Sequence, residues 1–289
     1  MFVAHPQRAH APRRRTFASV ALALTLALVA SIFLAPGVAH AARPASTTPV
    51  GAKAYYLALG DSLAFGYQPN FNFSNSYPAQ WYSSNLSKHN VSHYTNYGCN
   101  GETSATFVNG GCPYSFLLHT YYSGSQLKAA LSFLKAHPGA VSPVSLDIGA
   151  NDLLPDINAS TCAISSTWST DLANLDARLT QTILPQLTAA LTSNGVRTGD
   201  LVMMNYYDPY QNTCPTSLAY VQTLNQHLAT DAAQFNVPVA DVFTAFGGAT
   251  TPNPNICAYT WMCSSSKNIH ATTTGYGVIA NAFASTTGY

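Results

Sequence analysis

"AYYLALGDSLAFGY" (residues 54–67) decides how the chain folds. Its first half is a short apolar run ending in glycine, the pattern of a buried strand. Gly60 allows a tight turn, and Leu63-Ala64 then open a helix or loop. A serine directly after such a strand, Ser62, belongs at the carboxyl edge of a sheet. Its N–H then lies near a helix N-terminus, where developing negative charge is favoured. Taken alone, Asp61-Ser62 reads first as an ordinary turn and helix cap.

Similar apolar runs recur outward from this stretch, at "PVSLDIG" (143–149), "DLVMMNY" (200–206) and "VPVADVF" (237–243), with "HYTNYG" (93–98) as a second strand. Helical spacing fills the intervals. Leu127, Leu131 and Leu134 share one face over 125–137, residues 168–194 predict a long helix interrupted at Pro185, and 216–235 predict another. "TTTGYGVIANAFAS" closes the chain as a last helix with Thr272 or Thr273 as its N-cap. Strands alternating with helices predict right-handed βαβ units and a parallel sheet covered on both faces. In such sheets ligands bind at the carboxyl ends of the strands.

The first 41 residues read as a secretory signal: "RRRTF" is a basic n-region, 18–34 an apolar core, and Ala39-His40-Ala41 a small-residue cleavage site. Arg14-Arg15-Thr16-Phe17 also resembles a twin-arginine export signal; an uncleaved anchor is the alternative. Residues 42–53 read as a linker and 54–289 as one domain. Past the signal no second hydrophobic segment follows, so no membrane span is expected there. Eight basic residues then face 11 acidic ones, a net charge of −3. Without a basic stripe, nucleic acid is not the expected partner. The six cysteines, Cys99, Cys112, Cys162, Cys214, Cys257 and Cys263, all follow the signal. An even number in an exported chain reads as disulfides. Sequence neighbours point to Cys99–Cys112 and Cys257–Cys263, which leaves Cys162–Cys214, although fifteen pairings are open to six cysteines.

Several stretches carry candidate chemistry. "DIGANDLL" (147–154) sets Asn151 at the rim of another strand, where its amide can donate to an oxyanion; an Asx-turn is the plain reading. "NYGCNGETSATFVNGGC" (96–112) is a glycine-rich loop whose backbone can approach a ligand closely, or simply a disulfide-closed loop. His270 stands in "KNIHATTTGY" (267–276), and alone would read as a structural or solvated histidine.

In this order, "GDSL", the glycine of "NGET", "GAND" and a late histidine before "TTTGY" resemble the four blocks of the SGNH (GDSL) hydrolase family, across essentially all of 54–289. The resemblance implies a flavodoxin-like three-layer α/β/α sandwich with a central parallel sheet of about five strands. It implies an exported, monomeric serine esterase or lipase with no cofactor and no metal. The substrate would be a small-molecule, lipid or acylated-carbohydrate ester. Ser62 would be the nucleophile and His270 the general base. The N–H groups of Ser62 and Gly101 and the amide of Asn151 would form the oxyanion hole, with Gly98 the other candidate glycine.

One position departs from the pattern. Family members usually carry an aspartate two or three residues before the histidine, where this chain has Asn268 and Lys267. The Asn268 oxygen or a main-chain carbonyl from 257–267 would then hold the ring, or an acid such as Asp208 or Asp241 would be recruited. The alternatives are a catalytically weak carbohydrate- or lipid-binding relative and a polysaccharide deacetylase. Glu102 and Asp152 mimic a glycosidase pair but read as structural, and His89, His93, His119, His137 and His227 lack metal-ligand spacing. The aromatic-rich 65–82 would line an acyl or sugar pocket or pack against a helix layer.

Overall fold

Five strands pair in parallel: β1 (Tyr55–Gly60), β2 (His93–Asn96), β3 (Val141–Asp147), β4 (Leu201–Met204) and β5 (Val239–Ala240). Their order is β2-β1-β3-β4-β5, the flavodoxin-like arrangement that the strand pattern and the resemblance predict. The computed structural model describes residues 48–289. The expected signal segment and residues 42–47 lie outside the described residues. Residues 48–53, expected as linker, run against the sheet: the N–H groups of Val50 and Gly51 donate to the Asp200 carboxylate, each at 2.9 Å.

β1 and β3 are buried along almost their whole length, as a sheet with helices on both faces requires. One layer packs the helix Tyr77–Ser84 against the C-terminal helix Thr273–Thr287. Tyr77 stacks on Phe283 there at 4.8 Å between centroids, with Trp81 beside them. The other layer holds Ser104–Asn109, Gln126–Ala136, Trp168–Arg178, Leu184–Ala190 and Ser217–Gln234. Ser125 caps the second of these and Thr272 caps the C-terminal helix, which resolves the choice between Thr272 and Thr273.

Two expectations need correction. The long helix over 168–194 is two helices joined by a π-helical stretch, Leu179–Ile183. Pro185 has no N–H to return to the preceding turn and sits in the first turn of the second helix, where that loss is tolerated. The second helix stops at Ala190, and 192–193 pairs with 196–197 across Asn194-Gly195, both at positive φ. Asn-Gly is the dipeptide such a hairpin turn favours. The run at 237–243 supplies only two paired residues, because Asp241 already caps the short helix Val242–Ala245.

The cysteines pair as Cys99–Cys112, Cys162–Cys214 and Cys257–Cys263. The first closes the glycine-rich loop, the second ties the hairpin 157–164 to the loop after β4, and the third braces the segment before His270.

Candidate active site

Gly60 ends β1 at φ +140°, and a Cβ there would fall 2.3 Å from the Asp147 carbonyl oxygen, so only glycine lets β1 and β3 approach this closely. The chain then turns at once into a one-turn helix, Ser62–Phe65, capped by Asp61 through the N–H of Leu63. The cap expected of this stretch therefore exists, but it is the work of Asp61. Ser62 is left at the carboxyl edge, buried and lining a cleft with His270.

His270 Nε2 lies 2.8 Å from Ser62 Oγ, and His270 Nδ1 lies 2.7 Å from Asn268 Oδ1. The Asn268 oxygen also accepts the backbone N–H of His270 at 3.0 Å. That second contact fixes the chemistry. A backbone N–H can only donate, so the amide must present oxygen rather than nitrogen to this corner. Nδ1 must then carry the ring proton, which leaves Nε2 bare toward Ser62. The loop is held from behind: Trp261 donates its N–H to the His270 carbonyl at 3.0 Å and accepts the Asn268 N–H at 3.2 Å. Carbonyls of the 257–267 segment thus brace the backbone and leave the ring to Asn268.

Burial lowers the His270 pKa to about 4, since desolvation penalises the imidazolium and no carboxylate offsets it. Asp208 accepts from Ser217 Oγ and the Tyr210 N–H, and Asp241 from Asn205 and Thr244. Both are committed elsewhere, so neither serves as a recruited acid.

Asn151, in the short helix Ala150–Leu153 after β3, donates one amide proton to the Glu102 carbonyl at 3.0 Å. This ties the third sequence block to the loop carrying Gly101. The Gly101 backbone sits at φ +75°, and among the described residues neither its N–H nor that of Ser62 has a protein acceptor. The Gly98 N–H is taken by Asn96 Oδ1 at 2.8 Å, which removes the competing glycine.

Three polar residues that sequence reasoning missed clamp the turn from below. Gln126 holds Gly60 by both backbone groups, at 2.6 and 2.9 Å, and donates to Glu102 at 3.0 Å. Asp147 Oδ2 accepts the N–H groups of Asp61 and Ala64, each at 3.2 Å, and its Oδ1 accepts from Tyr77 at 2.7 Å. Burial raises the carboxyl pKa of both acids, that of Asp61 to about 6. A charge-bearing residue inside the apolar run "VSLDIG" was the available signal for Asp147; nothing in the sequence marks Gln126 or Tyr77. Removing this carboxylate strands the Ala64 N–H and the Tyr77 hydroxyl at roughly 1–3 kcal/mol each, while the Asp61 N–H keeps the Asp147 backbone carbonyl at 3.1 Å. Asp147→Ala should therefore lower the melting temperature by about 10 °C. Asp147→Asn, whose amide oxygen can keep the two N–H groups, should cost less than half of that in the same thermal scan.

Glu102 is buried on Gln126 and Tyr122, while Asp152 accepts from Ser104 and pairs with Arg178 at 3.6 Å. Neither acts as a paired acid at the site. His227 pairs with Asp176, His119 and His137 bond to backbone carbonyls, and His93 stacks on Tyr55. Of the aromatic stretch 65–82, Phe65, Tyr77 and Trp81 belong to the core. Tyr67 alone approaches the histidine, with ring centroids 4.7 Å apart.

The GDSL-like lipase/acylhydrolase family model matches residues 58–278, and the chain belongs to that family of ester hydrolases. Among solved structures it is similar to an extracellular lipase from Streptomyces rimosus (19% identity, TM-score 0.52, covering 81% of this chain and 99% of that one). It is also similar to an acetylxylan esterase from Geobacillus stearothermophilus (17%, TM-score 0.55, 83% and 97%) and to a phospholipase A1 from Streptomyces albidoflavus (16%, TM-score 0.50, 81% and 100%). At these identities the likeness is one of fold. No curated protein matches the chain.

Proposed function

We propose that the protein is an exported serine hydrolase that cleaves carboxylic esters through an acyl-enzyme on Ser62. Ser62 Oγ attacks the ester carbonyl and its proton passes to His270 Nε2. The positive charge that develops on the ring is held through Nδ1–H by an uncharged acceptor, the Asn268 oxygen. The carbonyl oxygen becomes an oxyanion that accepts from the N–H groups of Ser62 and Gly101 and from the second amide proton of Asn151. One such donor contributes a factor of about 10²–10³ in turnover. Collapse breaks the ester C–O bond, and the departing alkoxide takes the proton from Nε2. Water then repeats the sequence with His270 as its base and releases the acid.

The observation that carries this reading is the 2.8 Å contact between a bare Nε2 and Ser62 Oγ, with the opposite nitrogen engaged by Asn268. Export is supported by the basic and apolar N-terminal sequence and by three disulfides, which persist in oxidising compartments. A fluorophosphonate probe tests the reading. The wild-type protein should be labelled on Ser62 and Ser62→Ala should not; an unlabelled wild type would point instead to a binding relative that keeps the scaffold.

A further inference from the structure

A cleft of about 620 Å³, its open mouth included, is lined by Ser62 and His270 and by residues of the loop that follows β4. Leu153, Leu154 and Ile157 line it, as do Trp168 on the helix Trp168–Arg178 and Val221 and Leu224 on the helix Ser217–Gln234. The loop contributes Tyr206–Tyr210 as a wall. Polar tips on this wall are already satisfied within the protein. Tyr206 donates to Asp61 at 3.2 Å, Tyr207 to the Ile269 carbonyl at 2.8 Å, and Asp208 is held by Ser217 and Tyr210. What these groups offer a ligand is ring faces; the Tyr210 hydroxyl is the exception, having no protein partner among the described residues.

We infer that this cleft is an acyl-chain site and that the substrates are esters of linear, medium-chain fatty acids rather than acetyl esters of a polysaccharide. The inference rests on the Ser62–His270 reading for its chemistry. A sugar ring needs hydrogen-bond partners for its hydroxyls, and burying those hydroxyls against this wall would leave them unpaired. A hydrocarbon chain needs none. Trp168, Val221 and Leu224, all buried, line this cleft together with Ser62 and His270. The leaving alcohol must escape to water, so the cleft suits the portion that stays bonded to Ser62. Each further methylene buried against these apolar walls favours the longer chain roughly fourfold. Two parts of the lining are also tied together, because Cys162–Cys214 joins the hairpin that begins at Ile157 to the Tyr206–Tyr210 loop. The site is therefore formed before substrate arrives, and little ordering cost opposes binding.

Two measurements test this independently. With a constant p-nitrophenol leaving group, kcat/KM should rise roughly tenfold or more from acetate to octanoate. Leu154→Trp, at a half-buried wall position, should lower that ratio at least severalfold. Separately, Ser62→Ala protein titrated with octanoic acid should show saturable binding by calorimetry, and Leu154→Trp in that background should weaken it. A profile that is flat or best for acetate, together with no octanoate binding, overturns the acyl site while leaving the Ser62–His270 reading intact. Octanoate binding to Ser62→Ala without hydrolysis of any ester by the wild type supports the acyl site and removes the proposed reaction.

Discussion

Replacing His270 with alanine is expected to slow hydrolysis of a short-chain aryl ester by about 10⁵–10⁶-fold, with Ser62→Ala falling to the same residual rate. The two side chains meet at 2.8 Å and act as a unit: without the base the hydroxyl is a poor nucleophile, and without the hydroxyl the base has nothing to activate. The double variant should for that reason be no slower than either single one. No nearby group can substitute, since Asp208 and Asp241 are bonded elsewhere and Tyr67 contributes a ring face at 4.7 Å. Turnover measured for all three variants checks this, and a His270→Ala enzyme keeping a tenth of the wild-type rate would refute it.

Asn268→Ala is expected to cost about 10³-fold in turnover, a tenth of the ~10⁴-fold loss that follows when a serine-protease histidine adopts the wrong tautomer. An asparagine in that position of a protease triad is damaging because its amide can present nitrogen to the ring. Here the His270 backbone N–H occupies the same oxygen at 3.0 Å and pins the amide in the useful orientation. Removing the side chain frees Nδ1, lets the ring proton move to Nε2, and blocks the acceptor that Ser62 needs. KM should change little, because the side chain contacts the histidine and not the substrate. A loss smaller than tenfold would show that the ring needs no orienting partner.

The alternation of apolar runs with helical spacing was enough for the sheet, because each central strand is buried on both faces and so reads as a continuous apolar stretch. Edges were harder. β5 is only two residues long because Asp241 turns the chain into a cap, and the helix expected to run to 194 is cut by an Asn-Gly hairpin whose signal was present but outweighed by helical periodicity. Ser62, Gly101, Asn151 and His270 were legible as a set, because four blocks in order resemble the family although each reads as ordinary alone. The support beneath them was not. Gln126, Asp147 and Tyr77 lie on separate elements and converge only after folding. The cleft was equally hidden, since its walls come from four regions, none of them the aromatic stretch 65–82 that looked suited to the task.

The central claim is that an uncharged acceptor leaves His270 a weak, neutral base. The direct measurement is the pH dependence of kcat/KM for wild type and Asn268→Asp. His270 must be neutral to accept the Ser62 proton, and burial holds its pKa down to about 4. The wild-type acid limb should therefore fall near pH 4, with activity retained through pH 5–6. A carboxylate at 268 would favour the imidazolium and move the limb upward, toward the ordinary histidine range near about 6.5. A wild-type limb already near neutrality, and unmoved in Asn268→Asp, would contradict the account.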